Sequence, residues 1–172
     1  MSIILDKKNK ASVPTDIVIA LDRSLKNRDS VNTLAYLILG GKDFLPKEPS
    51  SAMEYIVASL KGIPKLSLIN LSHILDIPMK SIATMLNVSY KTLGRKSNKD
   101  LLNPLESSLS IELANLTATG ITVFEDSDKF KRWLQKENRA MGGKKPVSLL
   151  NTPTGIKLVS QVLERIQEGI YT

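Results

Sequence analysis

The chain has 172 residues, 42% of them hydrophobic and 24% charged, with a formal net charge of +7. That suffices for one large domain or two small ones sharing a core, with the composition of an ordinary globular protein. It contains no cysteine, which excludes disulfides and thiolate zinc sites. No apolar run approaches the roughly 20 residues that a membrane span requires, and the opening MSIILDKKNK is too short and too charged for a secretory signal. The expectation is a soluble cytoplasmic protein with no membrane partner.

The charge is unevenly spread. Residues 61–100 hold seven basic and two acidic side chains, whereas the segments on either side are nearly balanced. A clustered basic patch is the electrostatic footprint of phosphate binding; a solvated basic face accounts for the same count.

Up to residue 30 the chain is polar except for Ile17-Val18-Ile19-Ala20-Leu21, which fits a short strand, a helix or an arm that orders on a partner. Val31–Leu39 reads as an apolar helix ended by Gly40-Gly41, and Pro46 and Pro49 mark a loop. Ser50 or Ser51 caps a helix over Ala52–Leu60, which Gly62 and Pro64 stop. Ser67–Leu75 turns Leu68, Leu71, Ile74 and Leu75 to one side. Pro78 opens Met79–Leu86, with Ile82, Ala83 and Leu86 inward. Asn87-Val88 is a tight turn, Asn87 taking the positive φ that Asn tolerates better than most residues. Ser89 caps a third helix reaching about Lys96, with Val88 and Leu93 plugging the gap between helices. Two short helices on so short a turn form a helix-turn-helix. The outer face of the third helix, Ser89, Tyr90, Lys91, Thr92, Arg95 and Lys96, has the residue types that bind phosphates and base edges. Gly94 lies inside that helix at a cost of about 1 kcal/mol relative to Ala, so a weakened reader, or a motif kept as scaffold, stays open.

Asn103-Pro104-x-Glu106 is a strong helix start, continued by Leu105, Leu109, Leu113, Leu116 and Gly120 to Phe124. Asp126 or Ser127 caps the next helix, with Phe130, Trp133 and Leu134 inward and Trp133 in the core. Asn138–Lys145 is a polar turn around Gly142-Gly143. Pro146 opens the apolar Val147-Ser148-Leu149-Leu150. Thr152-Pro153 starts the last helix, whose inner face is Ile156, Val159, Val162, Leu163 and Ile166. Gly169 stands at its left-handed C-cap, leaving Ile170, Tyr171 and Thr172 as a tail. The fold reads as all-α: an N-terminal region over 1–60, a helix-turn-helix over 61–102 and a C-terminal helical domain over 103–172.

No catalytic constellation, cofactor site or metal cluster is recognised. His73, the single histidine, reads as an exposed or half-buried helix residue. Glu106/Glu112 and Asp126/Asp128 could be read as paired carboxylates, but helix-start electrostatics accounts for the acids near 106 and 126.

The end of the chain resembles the Xre/MbcA/ParS toxin-binding domain, the C-terminal half of antitoxins that pair with RES-domain toxins. The landmarks, in order, are Trp133-Leu134, Gly142-Gly143, Pro146, Leu149-Leu150, Thr152, Gly155, Arg165-Ile166 and Gly169, and the resemblance covers roughly residues 56–172. It implies a non-enzymatic antitoxin whose cognate RES-domain toxin consumes NAD or transfers parts of it. It implies that the C-terminal domain covers this toxin and pushes the tail toward its cleft. Gly142, Gly143, Arg165, Gly169, Ile170, Tyr171 and Thr172 are then the toxin-binding residues. Homodimerisation, in part through the N-terminal region, and repression of its own operon by binding operator DNA are also implied. Arg139 and Glu168 depart from the pattern, where a proline and a ring are common. The rival readings are a stand-alone helix-turn-helix regulator whose C-terminal domain dimerises or binds a ligand, and an adapter for a non-toxin partner.

Overall fold

The computed structural model describes residues 15–170; the expectations placed on residues 1–14, Tyr171 and Thr172 lie outside them. Nine helices are formed among the described residues: α1 (Thr15–Lys26), α2 (Val31–Leu39), α3 (Ala52–Lys61), α4 (Leu66–Ile74), α5 (Met79–Met85), α6 (Tyr90–Arg95), α7 (Pro104–Phe124), α8 (Ser127–Gln135) and α9 (Pro153–Gln167). Short 3-10 turns occur at Gly41–Asp43, Arg139–Met141 and Pro146–Leu149, and no strand occurs among the described residues. The all-α expectation holds, and the Ile17–Leu21 burst is helical.

Local hydrogen bonding explains where the helices begin. Ser30, Ser51, Asn103, Asp126 and Thr152 each accept a backbone N–H of the first turn, satisfying donors that a helix start otherwise leaves unpaired. At α7 the bond is reciprocal: Asn103 Oδ1 accepts from Glu106 N at 2.8 Å, and Glu106 Oε2 accepts from Asn103 N at 3.0 Å. The Asp126 carboxyl is held below its usual range, first by the backbone N–H of Lys129. Glu106 and Asp126 thus serve helix starts, as read from the sequence. Ser89 differs: it sits at the start of α6 with extended backbone, but its hydroxyl accepts no capping bond.

α7 organises the packing. It lies against α2 and α3 from the N-terminal side and against α8 and α9 from the C-terminal side. Leu109, Leu113, Ala114, Leu116, Ala118 and Ile121 are buried in one continuous cluster with Leu34, Ile38, Leu68, Phe130, Val159 and Leu163. With neighbours on several sides, even its hydroxyls are enclosed. Ser110 and Thr117 donate to the carbonyls of Glu106 and Leu113, both at 2.6 Å, which spares the penalty of an unpaired buried polar group. Ser107 Oγ accepts the Ile63 N–H at 3.0 Å, tying the end of α3 to the start of α7.

Two expected core positions are not core. Leu105 is 66% exposed, because it lies in the first turn of α7 on a side that no described element covers. Trp133 is only partly buried against the core, its ring 5.6 Å from that of Phe124 and 6.1 Å from that of Phe130.

Gly120 marks the tightest crossing: a Cβ there would overlap the ring of Phe130. Gly120→Ala is expected to force Phe130 and α8 outward at a cost of about 1–3 kcal/mol, read as a lowered midpoint in thermal melting. An unchanged melt would show that the α7–α8 packing yields freely.

Candidate functional site: a C-terminal groove and a basic helix face

The chain after Trp133 folds by a succession of local constraints. Asn138 N donates to Lys144 O at 3.1 Å and Asn138 Oδ1 accepts from Ala140 N at 2.9 Å, closing the polar turn. Gly142 and Gly143 complete it at φ 64° and 76°, where an L side chain is strained. Both are exposed, and a Cβ on either would meet nothing within 4 Å, so handedness of the backbone, not crowding, calls for glycine. Gly155 has the opposite reason, since a Cβ there would run into the Leu149 carbonyl. Pro146–Leu149 can therefore lie close against the start of α9.

α9 buries Ile156, Val159, Val162 and Leu163. Gly169, at φ 75°, then reverses the chain: its N–H bonds to Ile166 O at 3.1 Å and the Ile170 N–H to Arg165 O at 2.8 Å, the pairing of a left-handed helix stop. Ile170 is thereby turned back along α9.

This turn completes a groove of about 710 Å³. Val123, Phe124, Trp133, Ala140, Val162, Ile166 and Ile170 supply its apolar lining, while Thr122, Glu125, Lys129, Asn138, Arg165 and Gln167 supply its polar one. Of the residues expected to bind a toxin, Arg165 and Ile170 line the groove. Gly142 and Gly143 stand outside it, in the turn whose Asn138 and Ala140 form one wall, and Gly169 acts through the reversal that places Ile170. Phe124, Lys129 and Val162 are lining residues that sequence reasoning misses. Their convergence from three helices leaves no spacing signal, whereas Arg165, Ile166 and Ile170 lie within about one turn of each other.

The second candidate surface is α6. Asn87 has φ 54°, and Val88 N bonds back to Ala83 O at 2.9 Å, so α5 and α6 are joined by the expected tight turn. Ala83 and Leu93 are buried between them. Ser89, Tyr90, Lys91, Thr92 and Arg95 are exposed. Lys96 is half-buried, its Nζ donating to Leu101 O at 2.8 Å and its carbonyl accepting from Lys65 Nζ at 2.6 Å, so it braces the loop after α6. Gly94 has no positive φ, and a Cβ there would meet nothing within 4 Å; neither conformation nor packing accounts for glycine at that position. His73 is half-buried in α4.

Comparison with known proteins bears on the groove. Residues 119–169, from the last turns of α7 through Gly169, match the antitoxin Xre/MbcA/ParS C-terminal toxin-binding domain. Antitoxin Xre of Pseudomonas putida is 33% identical over 85 residues, 48% of this chain and 52% of that protein, so the chain spans about half the length of that relative. The Prs ADP-ribosylating antitoxin of a Sphingobium species is 26% identical over 132 residues, 71% of this chain and 83% of that protein. The matched segment contains all the groove-lining residues except Ile170, so the groove lies in the part of the chain that is similar to the Xre/MbcA/ParS C-terminal toxin-binding domain.

Proposed function

We propose that the protein is the antitoxin of a toxin–antitoxin pair, that it acts by binding rather than catalysis, and that its partner is a RES-domain toxin. The observation that carries this reading is the coincidence of the matched segment with the groove formed by α7, α8, the 138–145 turn and α9. In this reading the domain surface holds the toxin and Ile170, Tyr171 and Thr172 enter its cleft. The test is co-expression with a RES-type protein encoded beside it: growth should be restored by the full chain, and no restoration rejects the pairing. Gly169 already closes α9, so deleting residues 170–172 should barely move the melting temperature. NAD consumption by the purified toxin should then resist the truncated form even while the two proteins still bind. Equal inhibition by both forms would show the tail to be incidental.

Operator binding through α6 is a second element of the proposal, supported by the exposed Lys91 and Arg95 beside the α5–α6 turn. Replacing both with Ala should weaken binding to the DNA upstream of its own operon. The log–log salt slope should flatten by up to about 0.9 for each phosphate that α6 no longer neutralises; an unchanged slope removes α6 from the interface.

Pairing with a second copy is the third. One face of α3 exposes Met53, Ile56, Val57 and Leu60, with relative exposures of 64%, 50%, 41% and 66%, and this spacing is a complete helical stripe. An antiparallel copy would set Met53 against the partner's Leu60 and Ile56 against the partner's Val57, the self-complementary geometry that a two-fold interface needs. Ile56→Glu should yield a monomer in sedimentation without loss of helicity. A wild-type chain that sediments as a monomer at high concentration would reject the pairing.

A further inference from the structure

The groove is apolar in its floor and cationic in its walls. Lys129 and Arg165 face it beside the single acid Glu125. Neither cation has an ion-pair partner among the described residues, whereas the nearby Lys131 pairs with Asp128. Arg165 therefore does not pair with Glu164 or Glu168 on its own helix. The adjoining turn adds exposed Arg139, Lys144 and Lys145 and contains no acid from 138 to 145.

The floor is firm. Trp133 stacks on Phe130 and lies tilted against Phe124, with centroids 6.1 and 5.6 Å away, so this half-buried ring is presented without the entropy cost of ordering a mobile side chain. An aromatic platform ringed by polar groups is the arrangement in which a few side chains carry most of the binding energy. A carboxylate brought beside Arg165 over such a floor is partly shielded from water, which strengthens its charge-assisted hydrogen bonds. A groove of about 710 Å³ has room for more than one side chain.

We infer that the groove takes a segment of the partner protein in which a large apolar side chain is flanked by carboxylates. The apolar side chain lies on Trp133 and Phe124, and the carboxylates meet Arg165 and Lys129. This rests on the reading of residues 119–169 as toxin-binding and names the chemistry that the domain selects.

Trp133 is the only tryptophan in the 172 residues, so its fluorescence reports the groove directly. The full chain is titrated with two end-blocked peptides, Asp-Leu-Phe-Glu and Lys-Leu-Phe-Lys, up to about millimolar concentration, the range fitting so short a ligand. The acidic peptide should shift Trp133 emission saturably and in a salt-sensitive way. In the double variant Arg165→Glu, Lys129→Glu its half-saturation point should rise about tenfold or more. Both side chains are exposed, so the variant should melt like wild type. Equal shifts with both peptides, or none with either, overturn the inference. So does a larger response after deletion of Tyr171 and Thr172, which would make the chain's own tail the occupant. Co-expression with the RES-type toxin separates the two levels. If wild type fails to protect, the antitoxin reading is at fault. If wild type and the double variant protect equally, the groove chemistry is.

Discussion

Burial of α7 on several sides at once is the constraint on which the rest of the structure depends. A helix of 21 residues with enclosed Ser107, Ser110 and Thr117 cannot be covered by one neighbouring layer. Helices α2 and α3 cover part of it, and α8 and α9 cover another part. Removing either set would leave large apolar side chains in water at about 25 cal/mol for each Å². The Ile63–Ser107 hydrogen bond and the Asn103–Glu106 box hold the start of this helix in register. From there the helix runs about 32 Å at 1.5 Å per residue.

That length separates the surfaces assigned to partners. The outer stripe of α3 belongs to a helix packed on α7, and the last turn of α7 contributes Thr122, Val123 and Phe124 to the groove. The groove is therefore built on the rigid end of the best-covered helix, not on loops alone. Glu125, the 138–145 turn and Ile170 are its loop contributions, and each is fastened by backbone hydrogen bonds.

The distribution of acids explains why the cations stand free. Glu54, Asp100, Glu106 and Asp126 accept backbone N–H groups at helix or turn starts, and Asp22 and Asp128 pair with lysines on their own helices. These acids are engaged locally, and Lys91 and Arg95 on α6, and Lys129 and Arg165 at the groove, form no close salt bridge among the described residues. An excess of +7 thus becomes two addressable patches.

What the sequence determined by itself was local. Ser51, Asn103 and Thr152 announce helix starts, Asn87 announces the tight turn, Gly142-Gly143 announces the polar turn and Gly169 announces left-handed backbone; each rests on hydrogen bonds or sterics within a few residues, and each stands where the sequence puts it. The landmarks from Trp133 to Gly169 were legible for the same reason, since they are caps, turns and one close approach. Tertiary structure decided the rest. Leu105 shares a helical stripe with Leu109 yet lies in water, and Trp133, hydrophobic and at helical spacing, is only half covered. Periodicity tells which residues share a face of a helix, but not how far a neighbouring helix extends over it. The groove itself was not readable, because Phe124, Lys129 and Arg165 come from three helices whose approach is set by how α8 and α9 pack around α7, and that packing is a long-range balance of shape and burial that no local pattern encodes.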